Sequence, residues 1–535
     1  MNILSRMCFR SIGAVILAGL TAACSNNQYA PDELPDNTLP PVSTANPRNY
    51  TKDMGSLNPA AIAKLAGANN YNVLFITSDE HNAQMTGYER TVAGLDPNNI
   101  DIQTPNIDKL AGEGVYFTKA YDACPLCAPT RQSIYTGLYP VEHGQLNDNS
   151  VFQQQPTWAD FFSAQGYYTA VIGKTHDNDQ TRNFGFQYVI KNSGNGKSPE
   201  LNPPAGLPKT ITDPNDQLLY LASPDSSMRG SILQDPRMQQ DGMVTLLVKD
   251  FLAQNRDRKF FLHASLTTPH WPWNSPADFY YKYDPATIQM PVNMGPPVDY
   301  NPLTIYQNGQ WDKITMAQHR MFRARYMGGV SWLDSNVGQI VDTLDELGLK
   351  DKTLVIYSSD HGDMCTEKGM WFKLVMYEQS ARVPLVMRMP GIIEPGTIND
   401  TLINHVDYFP TIAGLTGNGA HVPDYLTGLD LTSAVLGITD GPDYTFSLHS
   451  TSSKGQVPRV QMVRSKDYKL VRYLGGGAKE YTLYNITADP HENNNLITNS
   501  AYKGISDSLK TVLADFMASL RYSNLPFVTI TTSED

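Results

Sequence analysis

Five short clusters carry side chains that could do chemistry together. Asp79-Glu80, Gly173-Lys174-Thr175-His176, Thr268-Pro269-His270 and Asp360-His361-Gly362-Asp363 offer carboxylates, a lysine and imidazoles, and Cys127-Ala128-Pro129-Thr130-Arg131 sets a thiol near a guanidinium. Grouped carboxylates are hard oxygen donors suited to a cation such as Ca²⁺. A lysine and histidines beside them suit an anionic group, and a histidine can also pass a proton near neutral pH. Taken singly, each has a plain structural alternative. A carboxylate pair can cap the next helix, Cys127 can be a buried apolar thiol, Lys174 and Lys373 can be solvated, and His176 and His270 can be satisfied core histidines. Four clusters at the ends of four strands are harder to explain that way.

The strands follow from hydrophobic patterning. NVLFITS (residues 72–78) is a short apolar run that ends in Asp79-Glu80, as a buried parallel strand with acids at its carboxyl end would. IDKLAGEG (107–114) reads as a helix with a glycine stop, and VYFTKAY (115–121) as the next strand. TWADFFSAQG followed by YYTAVIGK repeats the alternation, and residues 259–266 and 353–360 give two more buried strands, the second preceded by a helix over 316–349. This rhythm predicts an α/β fold with a mostly parallel central sheet flanked by helices. Such sheets bind ligands beyond the carboxyl ends of their strands, where the clusters fall. After about Asp440 the texture changes: VQMVRSKDYKLVRYL and EYTLYNI alternate like antiparallel strands before a closing helix over 500–521. The expectation is a main domain of 71–440 and a C-terminal α+β subdomain of 441–535. Residues 193–241 lack periodicity, and a loop that long inside a compact domain is functional or disordered.

Composition narrows the partners. Of 535 residues 41% are hydrophobic, enough for a large core, and the net charge of -12 argues against nucleic acid as a partner. Any positive charge for an anionic substrate must therefore be concentrated in a pocket. Five cysteines in so long a chain exclude a disulfide-built scaffold. Residues 1–23 read as an export signal, with Arg6 and Arg10 before an apolar stretch too short to span a bilayer. LTAACS resembles a bacterial lipobox with Thr21 in the position usually held by leucine, so Cys24 would be lipidated; the alternative is an ordinary secretory peptide cleaved nearby. Either way the protein is exported, and the lipid would anchor it to a membrane of the bacterial cell envelope. Residues 24–70, broken by Pro31, Pro35, Pro40, Pro41 and Pro47, read as a tether.

Cys127-x-Pro129-x-Arg131 followed by QSIYTGLYP resembles the signature of the sulfatases, and the rest of the chain follows that family in order. NVLFITSDEH is similar to its first metal strand, with Glu80 in place of a second aspartate. IGKTH, TTPH, SSDHGDM with KGMWFKLVMYEQSARVPLVM, and YTLYNITADPHENNNL resemble its later motifs. The resemblance implies the fold of the alkaline phosphatase superfamily and a divalent cation, Ca²⁺, held by Asp79, Glu80, Asp360, His361 and the modified Cys127. It also implies a maturating enzyme that oxidises Cys127 to formylglycine. Hydrated to a diol, that aldehyde would attack sulfur with one hydroxyl and expel the bound sulfate when the second loses its proton. Arg131 would steady the nucleophile, Lys174 and Lys373 would hold sulfate oxygens, His270 would protonate the leaving alcohol, and His176 would assist collapse of the intermediate. Two ligands stay open: His361 could stand behind the metal shell, and the extra methylene of Glu80 could leave a water between its carboxylate and the cation.

PLCAPTR, SDHGDM, Trp371-Phe372-Lys373 and SARVPL look like the choline-sulfatase-like branch, in which an asparagine matching Asn149 lies near the substrate. Export and anchoring favour instead a polymer that cannot enter the cell, so the expected substrate is a sulfated carbohydrate, with an algal galactan such as carrageenan as an example. Trp271 and Trp273 could stack on sugar rings or lie in the core. Other readings are a sulfatase of small esters, a phosphonate or phosphate ester hydrolase, and a non-catalytic glycan-binding lipoprotein. Cys124 and Cys365 could form a bridge outside the cytoplasm.

Overall fold

The computed structural model describes residues 65–91, 102–148, 155–176, 183–192, 232–233, 240–294, 314–450, 458–474 and 480–521, except 66 and 292. The expected export signal, Cys24, most of the tether, Asn149 and most of the 193–241 stretch lie outside them.

Among the described residues, eight strands make the central sheet: β1 (Asn72–Asp79), β2 (Val115–Phe117), β3 (Tyr168–Lys174), β4 (Tyr188–Asn192), β5 (Phe260–Pro269), β6 (Thr353–Ser359), β7 (Leu385–Arg388) and β8 (Thr397–Asn399). Their order is β8-β2-β7-β6-β1-β5-β3-β4. Only β7 runs antiparallel to its neighbours. All of β1 is buried, which is why its sequence is continuously apolar rather than alternating. Val73 and Phe75 enter one core with Trp158 and Phe162, while Leu74 and Ile76 enter the other with Leu333 and Val337. Those partners sit on helices: Trp158–Ala164 on one face, and the long Met316–Glu346 helix on the other.

The 115–121 run does not form one strand. It divides into β2 and a two-residue strand, Ala120–Tyr121, that pairs with Ile403–Asn404 outside the main sheet. A second, antiparallel sheet consists of Thr445–His449, Val460–Arg464, Tyr468–Tyr473 and Tyr481–Asn485 in that order. The helix Lys503–Ser519 covers it, with Phe446 stacked on Phe516. Tyr139, Val141 and Val406 of the larger part share this core, so the small sheet is seated on the main domain by apolar packing. Among the described residues no helix is long and apolar enough to cross a membrane.

Candidate active site

The central strands deliver their polar ends to one place. β1 ends in Asp79, β6 in the residue before Asp360, β3 in Lys174, and β5 in the residue before His270. Two glycines allow this crowding. A side chain at Gly173, where φ is +114°, would meet the Ser265 carbonyl oxygen at 1.9 Å, and one at Gly362 would meet that of Gln379 at 2.0 Å. Glu80 and His176 leave their strands with φ of 69° and 51°, left-handed conformations that cost energy in non-glycine residues.

Cys127 opens the buried helix Cys127–Thr136, and that helix carries Arg131 into the sheet edge. Arg131 donates from Nε to Asp360 Oδ2 (2.8 Å), from one terminal nitrogen to Asp79 Oδ2 (2.9 Å), and from the other to the Lys174 carbonyl and Ser265 Oγ (both 2.8 Å). The guanidinium therefore clamps two carboxylates across neighbouring strands, and its hydrogen bonds go there rather than to Cys127. Lys174 Nζ lies 2.6 Å from Asp79 Oδ2.

Asp79, Cys127, Asp360 and His361 each point one potential ligand atom at a common centre, all within 4.8 Å of one another, and all four are buried. His361 turns Nε2 inward, 3.1 Å from Cys127 Sγ, while Nδ1 faces the Gly362 carbonyl at 2.9 Å. Glu80 falls in an adjoining group with Asp79 and His270. Its Oε2 lies 3.2 Å from Lys373 Nζ and 3.5 Å from His270 Nε2, and its buried Oε1 has no hydrogen-bond partner. The buried Oδ2 of Asp363 likewise has no donor apart from the neighbouring Glu80 carboxyl. Orphaned buried carboxylate oxygens beside a ring of convergent donors fit a bound cation.

The charges follow the same geometry. Burial would raise the Cys127 thiol, but Lys373, His361 and Lys174 pull it well below its ordinary value. Burial and the Cys127 sulfur would raise the Asp79 carboxyl, yet Lys174, His270 and Arg131 hold it far down. Burial outweighs Lys373 at Glu80 and lifts that carboxyl well above the usual range. His361 is carried up to about 10 against its burial by Asp360 and Cys127, whereas burial, with Lys373 and Lys174, takes His270 down to about 4. His270 Nδ1 contacts the Trp271 carbonyl at 2.5 Å, so Nε2 is the nitrogen turned to the pocket.

Lys373 arrives on a strap that the sequence does not announce. Cys365, Thr366, Lys368, Phe372 and Leu374 all have φ between 40° and 79°. Such a run persists only where surroundings fix it. Arg323 of the long helix donates to the Cys365 carbonyl and to Thr366 Oγ1, and Trp371 Nε1 donates to His319 Nδ1 on the same helix. Lys368 Nζ donates to the Glu492 carbonyl (2.9 Å), and Leu374 N to the Pro125 carbonyl (3.1 Å).

Of the two tryptophans after His270, Trp273 is 1% exposed and packs on Trp371 and Phe322, which removes it as a sugar platform. Trp271 is partly exposed, stacks on His270 and leans toward Phe372. Cys124 and Cys365 are both free thiols, so no bridge joins them. Sequence reasoning gave no role to Asp148, whose Oδ1 accepts from Ala128 N at 3.0 Å and lies 3.9 Å from His176 Nε2. Its position directly before Asn149 was the one signal available.

Comparison with known proteins places this geometry among relatives. The model of the sulfatase family matches residues 71–418, and that of the N-sulphoglucosamine sulphohydrolase C-terminal region matches 366–519. The chain is 27% identical over 461 residues to an ulvan-active sulfatase of Formosa agariphila, covering 84% of this chain and 81% of that protein. It is 28% identical over 416 residues to a choline-sulfatase of Rhizobium meliloti, covering 74% and 78%. A protein solved with its substrate D-glucosamine-2-N,6-O-disulfate shares the fold with a TM-score of 0.67 at 20% identity, over 84% of this chain and 98% of that one.

Proposed function

The chain belongs to the sulfatase family, and on that premise we propose that this sulfate-ester hydrolase acts on a sulfated poly- or oligosaccharide, using a formylglycine made from Cys127. The observation that carries the proposal is the convergence of Cys127, Asp79, Asp360 and His361 beside the cations Lys174 and Lys373. The donor chemistry supports the modification. A thiolate is a soft ligand, while Asp79, Asp360 and Glu80 are hard ones, and exchanging sulfur for the oxygen of an aldehyde hydrate gives a set suited to Ca²⁺. Bound there, the cation would supply Lewis acidity toward sulfate and lower the pKa of the attacking hydroxyl.

The remaining work belongs to the chain. Arg131 locks Asp79 and Asp360 so that neither carboxylate swings when substrate enters. Lys174 and Lys373 hold sulfate oxygens and oppose the charge that grows on the ester as its S–O bond breaks. His270, neutral in the ligand-free site with its proton on Nδ1, would take up a second proton at Nε2 when the sulfate anion enters and give it to the departing alcohol, and His176 takes one as sulfate is released. Glu80 holds Lys373 and His270 toward each other through one oxygen, leaving the second for the cation or a water on it. Trp271 and Phe372 offer an aromatic ledge next to His270 and Lys373 on which a sugar ring can stack. An exported, lipid-anchored protein would meet such polymers at the bacterial cell envelope, with a maturating enzyme as its partner during biogenesis.

The test is sulfate release, by ion chromatography, from the matured enzyme given carrageenan oligosaccharides, sulfated glucosamines, choline sulfate and aryl esters. Release from a saccharide is expected. Release from choline sulfate alone would move the substrate to small esters.

A further inference from the structure

We propose that Asp148 is a specificity-determining residue that disfavours a second anionic group beside the scissile sulfate; this rests on the sulfatase reading of the site. The groups around Cys127 form a closed floor. The side chains of Lys174, Asp79, Asp360 and His361 are at most 2% exposed, and Lys373, His270 and His176 are 10%, 15% and 19% exposed. The Asp148 side chain keeps 34% of its surface in solvent. A sulfate held on the floor must send its alcohol portion outward, past the most exposed of these groups.

Asp148 is held in place there. Its Oδ1 accepts from Ala128 N, in the first turn of the helix that begins at Cys127, and stands 3.9 Å from His176 Nε2. Its charge reaches the sulfate-binding groups, since it shifts both His176 and Lys373 upward. A fixed carboxylate at the rim of an anion pocket tolerates hydroxyls or an amine on the leaving group and repels a second sulfate or carboxylate. Partial exposure makes that repulsion sensitive to salt.

Asp148→Asn keeps the shape and the acceptor for Ala128 while deleting the charge. The probes are 3-carboxyphenyl sulfate and its methyl ester, which share a ring and differ in charge; their intrinsic reactivities cancel when variant is compared with wild type. The expected result is a gain in kcat/KM of about 10-fold for the carboxylate relative to the ester at low ionic strength, shrinking toward unity in about 0.5 M NaCl. Equal changes for both probes, independent of salt, would overturn the proposal and leave Asp148 as a helix cap. Should the matured wild type release sulfate from saccharides but from neither probe, the same ratio is read on glucosamine 6-sulfate and its N-sulfated counterpart; release from none of these would fail the sulfatase reading itself, a failure recognised from the wild-type rate alone.

Discussion

The molecule buries two dense groups of charge, and they differ in their balance. Beneath the small sheet, Glu378, Glu492 and Glu89 meet Lys469, Arg464 and Arg382. Lys469 Nζ lies 3.0 Å from Glu378 and 2.6 Å from Glu492, and Arg382 pairs with Glu89 at 2.6 Å. Three acids face three bases. At the sheet edge, Asp79, Glu80, Asp360 and Asp363 face Arg131, Lys174 and Lys373, and two of the carboxyl oxygens have no basic partner. The His361 imidazole and the Cys127 thiol stand among them, and burial pushes Glu80 toward its neutral form. Out of water an uncompensated charge is expensive, so the first group, closed by its own ion pairs, reads as finished, and the second, with carboxyl oxygens that no base pairs with, as open to a cation. Buried ion pairs alone do not identify an active site; unpaired oxygens among them are the informative feature.

The contrast can be broken most severely at the nucleophile. Cys127→Ala should abolish sulfate release while the protein stays folded, because alanine fits the start of a helix; peptide mass spectrometry of the active wild type should find the aldehyde at Cys127. Comparable activity in a wholly unconverted sample would sink the mechanism. Next, His270→Ala should slow a sulfated sugar about 10²–10⁴-fold and a nitrophenyl sulfate far less, since nitrophenolate leaves without a proton. Lys373→Ala should slow both alike, because sulfate is common to them. Equal losses in the His270 variant would reassign that residue to sulfate binding or structure.

In the balanced group the cost should appear as stability. Glu378→Gln leaves Lys469 and Arg464 short of a partner and should lose about 3–5 kcal/mol in denaturant unfolding. The same residue sets an acid limit. Burial would raise its carboxyl, but Lys469, then Arg464 and Arg382, hold it at about 2, below its ordinary 4.5. A depressed folded-state value stabilises the protein above the unfolded value and is lost as pH falls from about 4.5 toward 2. Wild type should therefore lose more stability over that window than Glu378→Gln, and parallel curves would refute the assignment. The smallest effect should have the opposite sign. In cation-free protein, Asp363→Asn removes a buried carboxyl that no base pairs with while its Oδ1 contact to Cys365 N is preserved, and should raise stability by about 1 kcal/mol. A loss there would show that the edge is already balanced.

Much of this edge was legible because the chemistry sits at strand ends. The run 72–78 announces β1, and the next two residues must lie where a parallel sheet binds ligands; residues 353–360 work the same way. The four clusters thus converge as expected. What could not be read was tertiary. Trp271 and Trp273 look alike in sequence, and only the packing of Trp371 and Phe322 separates the core residue from the rim residue. The antiparallel β7 has the same apolar texture as its parallel neighbours, since burial on both faces sets composition and not direction. The resemblance implies that Arg131 steadies the nucleophile; that its hydrogen bonds run to carboxylates far from it in sequence is a tertiary fact. The left-handed strap that carries Lys373 contains no glycine at most of its positive-φ positions, so nothing local foretells it.

The pin from Lys368 to the Glu492 carbonyl gives this enzyme a schedule. A ribosome delivers the clamp, the sheet edge and Lys373 itself well before Glu492 emerges. Until then the strap lacks one of its ties, whatever the state of the central sheet. The lysine proposed to hold sulfate is thus fastened by a part of the chain made well after it, and completion of the small sheet is also a later step in completing the site.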